Sequence, residues 1–511
     1  MRPTWTRGRL QGLIRQGLGD LPLIVVSNRE PWIHTSWDGS IRVERPASGL
    51  VTALEPFAEA SGGTWIAHGS GDADRRCVDA HDRVAVPPDH PRYQLRRLWL
   101  SQAEQDGYYN NFANRGLWPL CHVAFVPPLF EAAHWHTYRQ VNARFAEAVL
   151  EEAAGGPALV FLQDYHLALA AQLLRRANPQ LTLVQFWHVP WPNLELLRTF
   201  PYAEELIEGL LGNDLIGFQI PAHARNFLEA ADRLVEARVD ADVDQVKRHG
   251  HGTHVAAYPI SIDFQQWNHD AAGVPVLEAM QRWRQRLGPH DPDLLGVGME
   301  RLDYTKGLPQ RLRAVERLLM QEPALRGRFR FVQVLANSRS QIREYHALHT
   351  ELEAITAGIN ARWGTDEWQP LQLRMERCDT PDLMALQRLA RFCLVSSLHD
   401  GMNLVAKEFV ASRSDGDGVL ILSRFAGSAL ELNGALPVHP YCLEQLSAAM
   451  ALALRMPEQE RRQRMEQMRR QVAEHNVYRW GGEIVSDILR LQLLHPPVRQ
   501  PAPSSRVVAH V

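Results

Sequence analysis

Residues 397–409 combine two carboxylates, a glycine and an asparagine in a spacing that suits a ligand with phosphate and hydroxyl groups. The apolar residues 392–396 predict a buried strand before this stretch, and a helix is predicted after it. The loop between them therefore offers unpaired N–H groups and a positive helix dipole end to an anion such as a diphosphate. Gly401 has no Cβ, so the backbone can approach a ligand closely. Asp400 and Glu408 can each accept protons from two hydroxyl groups. A turn-forming aspartate and a helix N-terminal charge would explain the same residues.

A second group of charges follows the predicted strand 294–298. Arg301 and Lys306 flank one short turn, so both could reach the same phosphates. A surface ion pair between Arg301 and Asp303 is the alternative explanation. Gly307 favours the phosphate interpretation, because it resembles a second glycine that lets the backbone approach a ligand.

The order of strands and helices predicts how these residues are positioned. Short apolar runs alternate with helical patterns, and this alternation occurs twice along the chain. It predicts an α/β protein with two doubly wound, Rossmann-like domains that face a central cleft. Such folds place their chemistry at strand ends, and polar residues follow nearly every predicted strand: Asn28, Arg29, Asp164, His166, His188, Glu300, Arg301, Lys306, Asn337, Arg339, Asp400 and Arg424.

The domain organisation follows from the same pattern. We place the junction between the domains near residues 258–268, and the Pro- and Ser-rich end predicts disorder. The basic first segment, which lacks a secretory h-region, predicts a packing extension or a loose tail rather than a targeting signal. The predicted units are an N-terminal extension (1–20), a first Rossmann-like domain (21–260), a second Rossmann-like domain (261–475), a helix crossing back to the first domain (476–495) and a disordered tail (496–511).

Composition and charge argue against several classes of protein. The 511 residues contain 55 Lys and Arg against 58 Asp and Glu, so the chain has no basic field for a nucleic acid or a membrane surface. No apolar run approaches the ~18 residues of a membrane span. The five cysteines form no CxxC pair, which favours reduced thiols and a cytoplasmic location. The sequence has no HExxH, GxxxxGK[ST] or GxSxG motif, so we predict neither a metal nor a cofactor.

Several motifs together carry a family resemblance. They are, in chain order, SNR (27–29), YNNF (109–112), LWP (117–119), DYHL (164–167), FWHVP (186–190), ERLDYTKGLP (300–309), DGMNLVAKE (400–408) and SRFAG (423–427). With these motifs the chain resembles the trehalose-6-phosphate synthase family of retaining glycosyltransferases from about residue 21 to about 495. The resemblance implies the GT-B arrangement of two Rossmann-like domains. It also implies a nucleotide-diphosphate glucose donor, with UDP-glucose favoured, a glucose 6-phosphate acceptor, an α,α-1,1 product and no metal.

The resemblance also implies roles for individual residues. Arg301 and Lys306 would hold the donor diphosphate and Glu408 the ribose, while His188 would lie beside the reacting centre. The catalytic set is therefore His188, Arg301, Lys306 and Asp400. The donor set adds Gly401, Met402, Asn403, Leu404 and Glu408 to Arg301, Lys306 and Asp400. The acceptor set is Arg29, Trp65, Tyr109, Trp118, Asp164 and Arg339.

The chain departs from the usual family pattern at four places. The long loop between Arg29 and Gly49 contains EPWIH, and Ser48 precedes Gly49 where a Gly-Gly pair is common. PIS (259–261) replaces Pro-Ile-Gly, and His399 stands where an arginine is frequent. The first two departures lie on the acceptor side. Glycerol 3-phosphate or a pseudo-sugar is therefore an alternative acceptor, and a homo-oligomer is compatible with the sequence.

Retention at the anomeric carbon needs either a nucleophile or a front-face route. Retaining glycosidases use two carboxylates about 5 Å apart, but here Asp400 is assigned to donor hydroxyls and no second carboxylate has a clear claim to attack. The family's front-face mechanism therefore fits better, with Arg301 and Lys306 stabilising the leaving diphosphate. A non-catalytic, sugar-phosphate-binding regulator is the rival from another class, and loss of Arg301, Lys306 or Asp400 would have favoured it.

Overall fold

The protein is described by a computed structural model over residues 4–46, 49–288, 294–336, 342–375 and 378–494. The strands of its first half are β1 (Leu23–Arg29), β2 (Ile33–Trp37), β3 (Ser40–Glu44), β4 (Thr64–His68), β5 (Arg83–Val86), β6 (Tyr93–Leu98), β7 (Leu159–Gln163), β8 (Thr182–Phe186), β9 (Leu215–Phe218), β10 (Arg238–Asp240), β11 (Gln245–Arg248) and β12 (His251–Ala257). The strands of the second half are β13 (Leu295–Arg301), β14 (Arg330–Ala336), β15 (Leu371–Arg374), β16 (Phe392–Val395), β17 (Val419–Ser423) and β18 (Leu436–Val438).

Helices separate most of these strands. Those of the first half are α1 (Arg7–Leu18), α2 (Gly49–Ser61), α3 (Gln102–Glu104), α4 (Trp118–Cys121), α5 (Ala132–Ala153), α6 (Ala170–Ala177), α7 (Leu194–Leu197), α8 (Ala203–Leu210) and α9 (Pro221–Leu234). Those that follow are α10 (Phe264–Ala271), α11 (Val274–Leu287), α12 (Leu308–Gln321), α13 (Arg343–Trp363), α14 (Thr380–Leu389), α15 (Leu404–Ser412), α16 (Leu443–Arg455), α17 (Glu458–Glu474) and α18 (Val477–Arg490). None of the described helices is long and apolar enough to span a membrane.

Two large sheets organise the described residues. The first has the strand order β10-β11-β12-β9-β8-β7-β1-β4-β6-β5, and the second has the order β15-β14-β13-β16-β17-β18. The central strands of both run parallel, and only the edges of the first sheet are antiparallel. The predicted α/β fold with two doubly wound units is therefore confirmed. The carboxyl ends of β8, β7, β1 and β4 lie side by side in one sheet, as do those of β14, β13 and β16 in the other.

Each central strand is buried on both faces, because helices cover both sides of a parallel sheet. Along β1, Ile24 and Val26 face one apolar layer, and Leu23 and Val25 face the other. This alternation follows from the two-residue period of a strand. The apolar runs seen in the sequence are thus central strands, and the helical stripes pack against them.

The segment after β1 differs from the long loop predicted by the sequence. It forms a hairpin of β2 and β3, joined by Asp38 and Gly39 with φ values of 45° and 73°. Two consecutive positive φ values are typical of a type I′ turn, for which Asp-Gly is a preferred pair. The signal was present in the sequence. It consists of the Asp-Gly pair and the alternation of polar and apolar residues along β3, whose Ile41 and Val43 are exposed.

A buried ionic cluster holds the base of this hairpin. The guanidinium of Arg97 donates to Glu30 at 2.8 Å and lies 2.9 Å from Asp74. The backbone N–H of His34 donates to Asp74 at 2.8 Å. Burial and the nearby Asp74 carboxylate raise the pKa of Glu30 to about 7. The residues that depart from the family pattern are therefore anchored directly beside Arg29.

The chain returns to the first sheet after the second sheet is complete. Helix α18 packs against α1 and α2. Its Trp480 is buried against Phe57, Phe161 and Phe186, with ring centroids 5.1–6.1 Å apart. Helix α18 therefore packs on the first half, while the predicted division of the chain into domains stays a prediction. The predicted disordered tail falls outside the described residues.

The aromatic, amide-rich stretch before α4 forms a π-helical segment, Gln105–Leu117. Its wider turn explains why the sequence lacks a 3.6-residue period here. The side-chain amide of Asn114 donates to the Tyr109 carbonyl oxygen at 2.8 Å, five residues earlier. This segment brings Tyr109 and Trp118 towards the carboxyl ends of the first sheet's strands.

Candidate active site

The loop between β16 and α15 has the shape that the sequence predicted. Asp400 pairs with Ala426 in a parallel bridge, and its N–H donates to the Phe425 carbonyl at 3.0 Å. Asn403 has φ 74° and caps α15, with its side-chain oxygen accepting the Ala406 N–H at 3.2 Å. Asparagine is one of the few residues that tolerate a left-handed φ. The loop is therefore held by its own backbone and by Asn403.

A buried ion pair lies at the centre of the site. Lys306, on a turn after β13, donates to the carboxylate of Asp400 at 2.5 Å. Burial alone would raise the pKa of Asp400, but the Lys306 ammonium and its hydrogen bond lower that pKa to about 2. Burial would likewise lower the pKa of Lys306, yet the Asp400 and Glu300 carboxylates raise it. Both groups are therefore charged at neutral pH.

Glu300 was not assigned a role from the sequence, but it completes this network. The amide of Asn403 donates to Glu300 at 3.2 Å, to Ser397 at 3.2 Å and to Asp400 at 3.1 Å. The guanidinium of Arg311 lies 3.5 Å from Glu300. Burial raises the pKa of Glu300. Glu300 thus links the end of β13 to the Asp400 loop, and its position at a strand end was the one signal in the sequence.

Arg301 contacts both halves of the protein. Its guanidinium stacks over the Trp118 ring at 5.5 Å from the centroid and lies 3.9 Å from Asp303. The Trp118 indole N–H also donates to Asp303 at 3.4 Å. The ion pair considered as the alternative for Arg301 is thus present, together with a cation–π contact to the other half. A phosphate-binding role for Arg301 stays a prediction.

His188 lies where the two halves meet. The ring Nε2 of His188 is 2.9 Å from the Gln163 side-chain oxygen. The backbone N–H of His188 donates to the Asp164 carboxylate at 3.2 Å. Burial lowers the pKa of His188 to about 3, so the ring is neutral. A Cβ added to Gly401 would lie 2.3 Å from the His188 carbonyl oxygen. The backbone at Gly401 therefore packs directly on the His188 peptide, which only glycine permits.

Neighbouring residues of the loop also reach the first half. Met402 is buried in the apolar layer that lies between the first sheet and helices α1, α2 and α18, and Leu404 packs against the same layer. A Cβ added to Gly49 would lie 2.4 Å from Leu404. His399 Nδ1 lies 3.2 Å from the His122 carbonyl oxygen. The loop assigned to the donor is thus part of the contact between the halves.

The residues assigned to the acceptor are divided between the strand ends and the core. Arg29 is exposed at the end of β1, and its register partner on β4 is His68. Asp164 adopts φ 69°, a strained conformation of the kind found at functional sites. The ring of Tyr109 stacks on His166 with centroids 5.5 Å apart. His68 was missed from the sequence, and its only signal was its place at the end of a predicted strand.

One member of the predicted acceptor set, Trp65, does not lie at this edge of the sheet. Trp65 is fully buried, and its indole N–H donates to Ser27 at 2.8 Å. Side chains alternate along β4, and Trp65 faces the helix layer with Val25 and Phe57. Its predicted acceptor role gains no support from this position. Arg339 lies outside the described residues.

Glu408 differs from the other carboxylates of the site. It is half-buried on α15, and no hydrogen bond to its side chain occurs within the part of the chain that the structure describes. Burial and repulsion from Glu300 raise its pKa to about 7. A carboxylate that receives no hydrogen bond from the described residues can accept one from a ligand hydroxyl. Within the described ranges, no three His, Cys, Asp or Glu side chains are grouped as a metal site would require.

Comparison with known proteins gives consistent similarities. The model of "Glycosyltransferase family 20" matches residues 22–490. A trehalose-6-phosphate synthase of Mycobacterium sp. (strain JLS) is 38% identical over 480 residues, which cover 92% of this chain and 97% of that protein. A structure from E. coli with UDP-2-fluoro glucose bound has a TM-score of 0.82 at 31% identity, covering 93% and 100% of the two chains. A UDP-forming α,α-trehalose-phosphate synthase from Burkholderia xenovorans, in complex with glucose 6-phosphate, has a TM-score of 0.81 at 30% identity, covering 92% and 100%.

The raised pKa of Glu408 predicts a pH-dependent cost to stability. The pKa of Glu408 is about 7 in the folded protein, against an ordinary value of 4.5 for a glutamate side chain. The contribution of Glu408 to the free energy of unfolding is therefore complete below pH 4.5, and it is lost as the pH rises through 7. We expect Glu408→Gln to raise Tm at pH 8 and to have almost no effect at pH 4.5. Thermal unfolding across this range measures the difference.

The control for this prediction is Glu466→Gln. Glu466 is exposed on α17, and its ion-pair partner Arg470 is exposed as well. We expect the Tm difference of this variant to change little with pH. A Glu408→Gln variant that is less stable than the wild type at pH 8 would contradict the prediction.

Proposed function

Because this chain belongs to glycosyltransferase family 20, as its motifs predicted, we propose that it transfers glucose from UDP-glucose to glucose 6-phosphate and forms α,α-trehalose 6-phosphate. The chain is a glycosyltransferase, and the proposal concerns its substrates and mechanism. The single observation that carries the proposal is the buried Lys306–Asp400 pair on a glycine loop that packs against His188. The relatives from E. coli and B. xenovorans, which bind UDP-2-fluoro glucose and glucose 6-phosphate, support the choice of substrates.

We assign the donor to the second half of the protein. Lys306 keeps its charge because Asp400 is paired with it, so an ammonium is already in place for the diphosphate. The N–H groups at the start of α15 add the positive end of a helix dipole. The free carboxylate of Glu408 accepts ribose hydroxyls. Asp400, which is ionised, accepts hydroxyl protons of the donor glucose with the oxygen that Lys306 leaves free.

We assign the acceptor to the strand ends of the first half. Arg29, with its exposed guanidinium at the end of β1, binds the acceptor phosphate. Tyr109, Trp118 and Asp164 contact the acceptor sugar. His68 joins this set, because its backbone is in register with Arg29. The buried cluster of Glu30 and Arg97 fixes the backbone that follows Arg29.

The reaction proceeds on one face of the donor glucose. The bond from C1 to the diphosphate oxygen breaks, and the acceptor hydroxyl oxygen bonds to C1 from the same face. The acceptor proton passes to the departing phosphate oxygen, whose charge Lys306 and Arg301 stabilise. Asp400 is bound to Lys306 and Asn403, which argues against its attack on C1. The neutral His188 accepts or donates a hydrogen bond beside the reacting carbon without taking up charge.

The proposal is tested by the product of the purified enzyme. We expect UDP-glucose and glucose 6-phosphate to give UDP and a product with the mass and α,α linkage of trehalose 6-phosphate, which mass spectrometry and NMR identify. The panel includes other nucleotide-diphosphate glucoses, glycerol 3-phosphate and unphosphorylated glucose. A higher kcat/KM with glycerol 3-phosphate than with glucose 6-phosphate would overturn the assignment of the acceptor.

We predict that the reaction is independent of divalent metal ions. The physical reason is that Lys306 and Arg301 already supply the positive charge that Mg²⁺ provides in other transferases of phosphorylated donors. Enzyme dialysed against EDTA should keep its full kcat, measured as UDP release. Complete loss of turnover that Mg²⁺ restores would contradict this prediction, and a chelator-treated Mg²⁺-dependent enzyme serves as the positive control.

Arg29 should be needed for the acceptor phosphate and for no other part of the reaction. A charge-assisted hydrogen bond contributes about 1.5–3 kcal/mol, so Arg29→Ala should lower kcat/KM for glucose 6-phosphate about 10- to 150-fold. Hydrolysis of the donor by water and transfer to unphosphorylated glucose should change little, because neither involves the acceptor phosphate.

The matched control is Arg198→Ala, which removes an exposed arginine paired with Glu195 on the surface of the first half. Its kinetics should match those of the wild type. Equal losses in transfer and in donor hydrolysis for Arg29→Ala would show that Arg29 serves the donor or the fold instead.

A further inference from the structure

Ile260 lies on the segment that connects the two halves of the protein. Strand β12 ends at Ala257 and helix α10 begins at Phe264, so residues 258–263 form the crossing. Ile260 is buried, and both of its backbone polar groups are bound by side chains. Its N–H donates to the Gln219 side-chain oxygen at 3.0 Å, and its carbonyl accepts from the Lys407 ammonium at 2.8 Å. One side chain from each half therefore holds the Ile260 backbone, Gln219 through the N–H of one peptide unit and Lys407 through the carbonyl of the next.

Gln219 connects the Ile260 N–H to the reacting centre. It follows β9 and is 2% exposed. Its oxygen accepts from Ile260, while its Nε2 donates to the His188 carbonyl oxygen at 3.3 Å. The same carbonyl oxygen faces Gly401, where a Cβ would lie only 2.3 Å away. Gln219 thus orients the peptide on which the donor loop packs.

Lys407 connects the crossing peptide to the donor helix. It lies on α15, one residue before Glu408, and is 1% exposed. Its ammonium also forms an ion pair with Glu431 at 2.7 Å. Burial lowers the pKa of Lys407, and the Glu431 carboxylate opposes this effect. An ammonium retained in the interior is costly unless it is paired and hydrogen-bonded. Here its additional partner is the backbone of the crossing segment.

We infer that Gln219 and Lys407 are positioning residues that fix His188 relative to the donor helix α15 through the backbone of Ile260. The hydrogen bonds run without a gap from the His188 carbonyl through Gln219 and Ile260 to Lys407, beside Glu408. The inference rests on the proposed function, since it assigns His188 and Glu408 to the reaction. Neither Gln219 nor Lys407 touches a substrate in this assignment. Both act through the residues that do.

The first test compares Gln219→Leu with Gln387→Leu. Gln387 is also buried, lies in the second half and accepts from Ser412 at 2.6 Å without contacting the crossing segment. Misplacing a reacting group by a fraction of an ångström to 1 Å lowers rates strongly. We expect Gln219→Leu to lower the kcat for transfer about 10- to 100-fold, with the Kd for UDP-glucose close to that of the wild type. Gln387→Leu should lose stability by a similar amount but keep kcat.

Gln219→Glu separates the two hydrogen bonds of the side chain. A carboxylate still accepts from the Ile260 N–H, but it cannot donate to the His188 carbonyl. We expect kcat to fall nearly as far as in Gln219→Leu. Hydrogen exchange of the Ile260 amide in the ligand-free protein should stay slow in Gln219→Glu and become faster in Gln219→Leu. A normal kcat in Gln219→Glu would overturn the link to His188.

The second test is a double-mutant cycle of Gln219→Leu and Lys407→Met. If the two side chains act through the backbone of one residue, Ile260, their effects on kcat should not add, because either change frees the same linkage. Additive effects would overturn the inference and leave each residue with a local packing role. Urea unfolding of all four proteins confirms that each is folded where kcat is measured.

The outcomes distinguish the inference from the proposed function. Transfer by the wild type is measured first, so a failure of the proposed function appears as no product from any of the proteins. A failure of the inference appears as a normal kcat in Gln219→Leu, or as an equal fall in Gln387→Leu. An Ile260 amide that exchanges equally slowly in the wild type and Gln219→Leu would overturn the inference whatever the activity.

Discussion

The Lys306–Asp400 ion pair is the interaction on which the rest of the site depends. Taking either charge alone out of water would cost several kcal/mol, and the cost is offset only if the partner and further hydrogen bonds are well placed. Here the donors that complete the pair are Ser397 and Asn403, both on the same loop. The left-handed conformation of Asn403 and the start of α15 are thus tied to the charge state of one carboxylate. Removing Lys306 would leave a buried anion and loosen the whole loop.

A second constraint is that the site is assembled from both halves of the protein. The donor loop contributes Met402 and Leu404 to an apolar layer of the first half, and Trp118 binds Asp303 of the second half. Contacts between domains of one chain commonly allow the domains to move relative to each other. The contacts between the two halves described above combine hydrogen bonds with apolar packing. Positions of the reacting groups therefore depend on the crossing segment as much as on either sheet.

Much of this arrangement could be predicted from the sequence, for a physical reason. Buried parallel strands are continuous apolar runs, so the polar residue after each run marks a strand end, which is how Asp400, Lys306 and His188 were found. The same reasoning does not reveal which side chains these residues bind. Glu300 lies in a motif at a strand end and Gln219 follows a strand, but neither position indicates its partners, and Lys407 looks like a surface residue of a helix. Trp65 illustrates a related limit of the pattern, because an aromatic residue near a strand end can face the helix layer, and its acceptor role stays a prediction. The partners of these side chains are set by three-dimensional packing, which one sequence does not encode in a readable pattern.

The glycines of the site have a consequence for the variation that the protein can tolerate. A Cβ on Gly401 would meet the His188 carbonyl oxygen, and a Cβ on Gly427 would lie 2.0 Å from the Gly401 carbonyl oxygen. Three backbone segments from both halves are therefore stacked with no side chain between them. A clash with a side chain can be relieved by substituting a smaller side chain. A clash with a backbone carbonyl group cannot, because that group is the same in every amino acid. No second substitution can compensate for a methyl group at either glycine, so these positions are closed to gradual evolutionary drift and to library-based redesign alike.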